Sequence, residues 1–208
     1  MAGIKRRTIV LLMIFVLLLS GCAADGNEND GGNGNGDDVS EGSNSLLATA
    51  IEVVEIIEAK DMAALSEYVH PDKGVRITPY FHVDIQNDQV FTSQNIIGIM
   101  QDNQIIDWGD YDGSGEPIEL SFNDYYDKFI YDKDFANPHL IGNNVAIGKG
   151  NIIDNIVEVY PDGQFVEFHF SGFDAQYEGI DWESLRLVFE EVSESWYLVG
   201  IVHGQWTI

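Results

Sequence analysis

One cysteine, Cys22, is all that the 208 residues contain. No internal disulfide can form, and a multi-cysteine metal site or a cysteine nucleophile in the following domain is excluded. Basic residues are almost as scarce. Ten Lys and Arg stand against 35 Asp and Glu, for a formal net charge of −25. Nucleic acid needs a basic footprint, so a nucleic-acid partner is excluded. Side-chain docking on anionic lipid headgroups is disfavoured for the same reason. Cationic partners, metal ions and polyamines are compatible with this charge, and so is plain solubility of an exported protein. Catalytic signatures are missing too. There is no Gly-Xaa-Ser-Xaa-Gly, no P-loop and no dinucleotide fingerprint, and Ser114 in Gly113-Ser114-Gly115 lacks the elbow spacing. No two of His70, His82, His139, His169 and His203 stand at a metal-ligand spacing such as H-x-x-x-H.

Long apolar runs are absent but for one. Ile9 to Leu19 is unbroken and follows Lys5, Arg6 and Arg7. As a helix it would span about 16 Å, at ~1.5 Å per residue. A bilayer core takes roughly 20 residues, so the run fits a signal h-region better than a permanent span; an uncleaved anchor helix is the alternative. Leu19-Ser20-Gly21-Cys22 then resembles a bacterial lipobox. That resemblance implies a lipoprotein signal peptide over 1–21. Cys22 would carry a diacylglyceryl thioether and begin the mature chain. A single acyl chain anchors only marginally, and the expected diacyl group meets that need. The implied location is the cell membrane, lipid-anchored on its extracytoplasmic face, with Cys22 the contact to the membrane. Loss of the three basic residues with the signal would leave the mature chain more acidic still.

Residues 22–44 are rich in Gly, Asn, Asp and Glu, with Val39 the only large apolar side chain after Cys22. Such a stretch buries too little surface to offset its ordering entropy. It is expected to act as a flexible acidic linker with an r.m.s. reach of roughly 25 Å. Its GNGNG repeat is low complexity and not a phosphate loop, since no strand precedes it and no helix follows.

Residues 45–208 suit one domain with its own core. Ser45 is placed to cap a helix over Leu46–Ala59, with Leu47, Ala50, Ile51, Val54 and Ile57 on one face. Asp61 is placed to cap a second over Met62–Val69, which Pro71 ends. Gly74–Thr78 alternates like a strand, Ser93–Asp102 reads as helical, and Ser121 caps a helix over Phe122–Tyr131. The stretches Ile152–Tyr160, Gln164–Phe170, Leu185–Val192 and Trp196–His203 are rich in β-branched and aromatic residues and read as strands. Ser193-Glu194-Ser195 is the loop between the last two. Helices first and antiparallel strands last is an α+β order.

Two amphipathic helices, a long middle region and a closing SLRLVFEEVSESWYLVGIVHGQWTI resemble the NTF2-like (SnoaL-like) cone fold, in which N-terminal helices pack on a curved antiparallel sheet. The domain also resembles an uncharacterised group of secreted lipoproteins from Gram-positive bacteria. The superfamily hosts enzymes, binding proteins and assembly modules, so the resemblance decides no function. Without a catalytic signature, a ligand-binding or interaction module is the first expectation, with small-molecule or protein ligand and oligomeric state left open. A small-molecule enzyme with a His or Asp base in the cone cavity is the alternative, and a calcium-dependent surface module a third.

Three groups of residues bear on these readings. Asp110, Asp112, Ser114 and Glu116 match the first half of a calcium loop, where closely spaced oxygens wrap a hard cation. Ser121 stands where an EF-hand needs its bidentate Glu, so the full motif fails; an acidic turn between two extended segments explains the same residues. Calcium is the one cofactor these residues suggest. Tyr126 and Asp132, beside Tyr125, Tyr131 and Asp134, offer a hydroxyl and a carboxylate for oxyanion and base roles, or else a helix end with aromatic core residues. His169 and Glu167 share a face of one strand, and His203 ends the last. Inward in a cone they would line its cavity; otherwise they are satisfied structural groups.

Overall fold

Ser45 caps the first helix, α1 (Leu46–Glu58), by accepting the Ala48 N–H at 3.2 Å. Asp61 caps the second, α2 (Met62–Tyr68), by accepting the Ala64 N–H at 3.0 Å. These are the roles their side chains favour. A computed structural model of the chain describes residues 45–207. The expected signal peptide 1–21, Cys22 and the 22–44 linker lie outside those residues. The buried face of α1 is Leu46, Thr49, Ala50, Val53, Val54 and Ile57. Ile51, expected inward, is 38% exposed instead. The true stripe runs one position to the side, since Val53 fits the 3.6-residue period from Leu46, Ala50 and Ile57 better than Ile51 does.

The chain then forms β1 (Val75–Thr78), β2 (Gln89–Phe91) and α3 (Ser93–Ile96). The helix expected over Ser93–Asp102 is broken by Gly98, whose φ of 78° is left-handed, and resumes only as a 3₁₀ turn at Ile99–Gln101. A separate hairpin follows, β3 (Ile106–Asp110) with β4 (Pro117–Leu120). The expected helix at 122 starts on its Ser121 cap as α4 (Phe122–Tyr125) and widens into a π-helical turn, Tyr126–Ile130. Such turns are rare. Here the widening lets Tyr125, Tyr126, Phe129 and Ile130 all point inward.

After β5 (Leu140–Asn143) comes a correction. Ile152–Tyr160, expected as a strand, is a loop closed by the short helix α5 (Ile156–Val159). Asn155 explains this: its side chain accepts the Val83 N–H at 2.7 Å and donates to the Val83 carbonyl at 3.0 Å. A side chain that pairs with another segment's backbone in this way takes over the strand partner's role. The last strands are β6 (Gln164–Phe170), β7 (Glu183–Val192) and β8 (Ser195–Gln205). Ser193 and Glu194 turn the final hairpin with φ of 51° and 66°, the left-handed pair that matches strand twist.

Six strands form one sheet in the order β2-β1-β8-β7-β6-β5. All pairs are antiparallel except β1 with β8. The domain is thus mixed α+β with a mostly antiparallel sheet. Both faces of the central strands are buried. The registers Phe168↔Leu185 and Leu185↔His203 put these three on one face, with Leu187 and Ile201. That face carries the larger core, shared with α1, α2 and the 122–135 segment. Glu167, Arg186 and Val202 are level with one another on the opposite face, which Phe81, Val83, Ile156 and Tyr160 cover. Gly204 permits that cover, because a Cβ there would stand 2.1 Å from the Phe81 ring. Among the described residues no helix is long and apolar enough to cross a membrane.

Candidate functional site: an acidic groove and a buried Asp-Glu-His cluster

The sequence-level candidates separate into three places. Glu167 and His169 do come together, but inside a closed polar network on the smaller-core face. Each Glu167 oxygen accepts twice. Oε1 takes the Gly148 N–H at 2.7 Å and the Ser184 hydroxyl at 2.7 Å; Oε2 takes the Ile147 N–H at 2.8 Å and Arg186 Nε at 2.9 Å. Arg186 also pairs with Asp154 and lies flat over Phe81, 3.6 Å from its centroid. Because Ser184 donates its proton to Glu167, it accepts from His169 Nδ1, 2.7 Å away. Ser184 is fully buried and its proton goes to the carboxylate and not to the histidine, so no Ser–His–acid triad is assembled. Burial holds the His169 ring below its ordinary pKa, against the pull of Glu167. These residues pin the 147–148 segment to the sheet. Tyr126 is structural as well: its buried hydroxyl donates to the Ile57 carbonyl at the end of α1.

The second place is an open groove of about 1180 Å³ between the β3–β4 hairpin, the 79–89 segment and residues 151–153. Asp84, Asp88, Asp107, Asp110 and Asp112 line it, with aromatic surface from Tyr80 and Tyr111; no lysine or arginine is among the lining residues. Three of the four calcium candidates, Asp110, Asp112 and Ser114, are thus groove residues, while Glu116 is not. The loop is tied by its own backbone. The Tyr111 N–H donates to the Glu116 carbonyl at 2.8 Å, and the Tyr80 hydroxyl accepts the Asp112 N–H at 3.2 Å. Asp84, Asp88 and Asp107 were not among the expected site residues. Among these acids Asp88 is shifted by its burial. Burial pushes its carboxyl up to about 6, although the Thr78 hydroxyl, the Asp84 N–H and Arg76 pull it down.

The third place joins Asp132 and His203, both expected site residues, to Glu183, which sequence reasoning missed. One ligand atom from each lies within 4.8 Å of the others; among the described residues this is the one such trio. It sits on the larger-core face, at the first residue of β7 and near the end of β8. His203 Nε2 is 3.5 Å from Asp132 Oδ1, and Lys133 Nζ reaches Asp132 at 3.2 Å and Glu183 at 2.9 Å. Burial pushes Asp132 up, but His203, Glu183 and Lys133 together more than reverse this and hold it well below the usual carboxylate range. Burial, then the Asp132 carboxylate, push Glu183 up to about 8 against the pull of Lys133. The signal for Glu183 was present: it lies two residues before Leu185, so alternation sends it to the core side.

No family model, curated protein or solved structure matches the chain. The groove and the trio are separate, since none of Asp132, Glu183 and His203 lines the groove.

Proposed function

We propose that the protein is a lipid-anchored extracytoplasmic binding module whose groove takes an organic polycation. Five carboxylates on one open groove with no lysine or arginine in its lining carry this reading. Low-dielectric walls bearing one sign of charge raise the local concentration of ligands of the other sign. An ammonium group already rests on this surface: Lys128 Nζ lies 4.3 Å from the Tyr111 ring centroid and 2.7 Å from its hydroxyl. It donates to the phenolic oxygen at the ring edge, a contact a bound amine would repeat along the groove. The helices-then-sheet order, with a mostly antiparallel sheet, supports an NTF2-like cone for the domain. Where the trio belongs to a base-catalysed reaction, substrate would have to reach residues the groove does not contain, so binding is the reading the geometry supports better than catalysis.

Calorimetric titration of the full-length chain with spermidine tests the groove. Binding is expected to weaken about tenfold, or about 1.4 kcal/mol, in Asp107→Asn/Asp110→Asn. It should also fall as added salt screens the exposed carboxylates. Calcium, titrated in parallel, decides whether Asp110, Asp112 and Ser114 hold that ion instead. Spermidine heat that is absent, or indifferent to the double substitution, removes the reading. The anchor has its own test. Labelled palmitate should enter the wild-type protein in growing cells and be missing from Cys22→Ser; equal labelling of both would refute lipidation at that residue.

A further inference from the structure

We infer that Asp132, Glu183 and His203 form a binding site for one divalent transition-metal ion, zinc being the best match. The observation is a convergence of unmet acceptors. Asp132 Oδ1, Glu183 Oε2 and His203 Nε2 are all buried and none is in hydrogen-bond geometry with another group, although Lys133 Nζ stands 2.9 Å from Glu183 Oε2 and His203 Nε2 stands 3.5 Å from Asp132 Oδ1. Buried polar atoms are normally paired, so three orphans from three residues at one point call for a common partner.

The histidine is set for this role. Its side chain is 1% exposed. Its Nδ1 lies 3.3 Å from the Pro79 carbonyl oxygen. A carbonyl only accepts, so Nδ1 carries the ring proton in that contact, and in the neutral ring Nε2 keeps its lone pair. A backbone carbonyl that holds the far nitrogen of a ligating histidine is the usual outer-shell arrangement in metal sites. Phe129 packs edge-on against the ring with centroids 5.6 Å apart and fixes its direction. The lone pair therefore faces two carboxyl groups.

One nitrogen and two carboxylate oxygens suit zinc, which bonds them at about 2.0–2.2 Å. Tetrahedral ligand atoms at that radius stand about 3.3–3.6 Å apart, by the geometry of those bonds. The His203–Asp132 separation of 3.5 Å already matches, and the trio's limit of 4.8 Å means that Glu183 must close by up to about 1.3 Å. Calcium fits less well because imidazole is a poor ligand for a hard cation. The Lys133 ammonium is the competitor. It contacts both carboxylates but is off hydrogen-bond geometry to Glu183, and its side chain is 32% exposed. On zinc binding it would swing into solvent and leave a fourth position for water.

Titration of the chelator-stripped full-length chain with zinc, against a chromophoric competitor, reads the site. One ion per chain is expected, with affinity at least tenfold lower in Asp132→Asn and in Glu183→Gln. Lys133→Gln removes the competing charge and should bind severalfold tighter. Cobalt in place of zinc should give a visible d–d band that both carboxylate variants weaken. Absorption spectroscopy at the zinc edge of the wild type needs no variant: a shell with one imidazole supports the site. A shell of oxygens only, or of several imidazoles, overturns it. So does the absence of stoichiometric binding in both wild type and Lys133→Gln, or binding that neither carboxylate variant changes, which would place the ion elsewhere on this acidic chain.

Discussion

Replacing Arg186 with Met is expected to lower the thermal midpoint by about 6–12 °C. Removing one partner of a buried ion pair costs about 3–5 kcal/mol, chiefly because the other charge is left behind. The lower end applies here. Glu167 keeps three donors after the change, from Ile147, Gly148 and Ser184. Asp154 is 37% exposed on its side chain and regains water. About 3 kcal/mol translates to about 6–12 °C in a domain of this size. Glu167→Gln should cost a similar amount for a different reason. Each of its oxygens accepts two donors, so an amide NH₂ must face two donors with a donor. Thermal unfolding followed by circular dichroism measures both. Midpoints within 2 °C of wild type for both variants would mean that the network is solvated and not the closed structure described above.

Trp108→Ala should be as severe, at about 3–5 kcal/mol for emptying a large aromatic from a core. Trp108 is 1% exposed and stacks on Tyr125 with centroids 3.8 Å apart. Its indole N–H donates to the Leu120 carbonyl at 3.1 Å and so ties β3 to β4. Trp108→Phe keeps most of the ring contact and loses that hydrogen bond, so it should recover more than half of the loss. Since the β3–β4 hairpin forms one wall of the groove, the alanine variant should also lose spermidine binding at temperatures where it is still folded. Chemical denaturation gives the stability of each variant. A loss below about 1 kcal/mol for the alanine change would show that the hairpin is not held by this ring.

Local physics was legible where one side chain decides the outcome. The caps Ser45, Asp61 and Ser121 stood one residue before their helices, and β6 runs over the residues that alternation and β-propensity marked. Tertiary pairing was not legible. Ile152–Tyr160 has strand composition, yet Asn155 spends its side chain on the Val83 backbone and no ladder forms. The parallel pairing of β1 with β8 depends on residues more than a hundred positions apart. For the site, Asp132 and His203 could be picked by type. Glu183 was missed because the expected strand began at Leu185, although carrying its alternation two residues back sends the acid to the same side. The groove acids Asp84 and Asp88 became site residues only when the 79–89 segment folded back beside the hairpin.

The sheet order has a consequence for biosynthesis. The strand nearest the carboxyl end, β8, lies between β1 and β7, with pairing on both sides. Until Ser195–Gln205 has left the ribosome, the two halves of the sheet have nothing to join them. Contacts this distant in sequence form slowly. The β1–β2 pair therefore cannot join β7, β6 and β5 until β8 has been made.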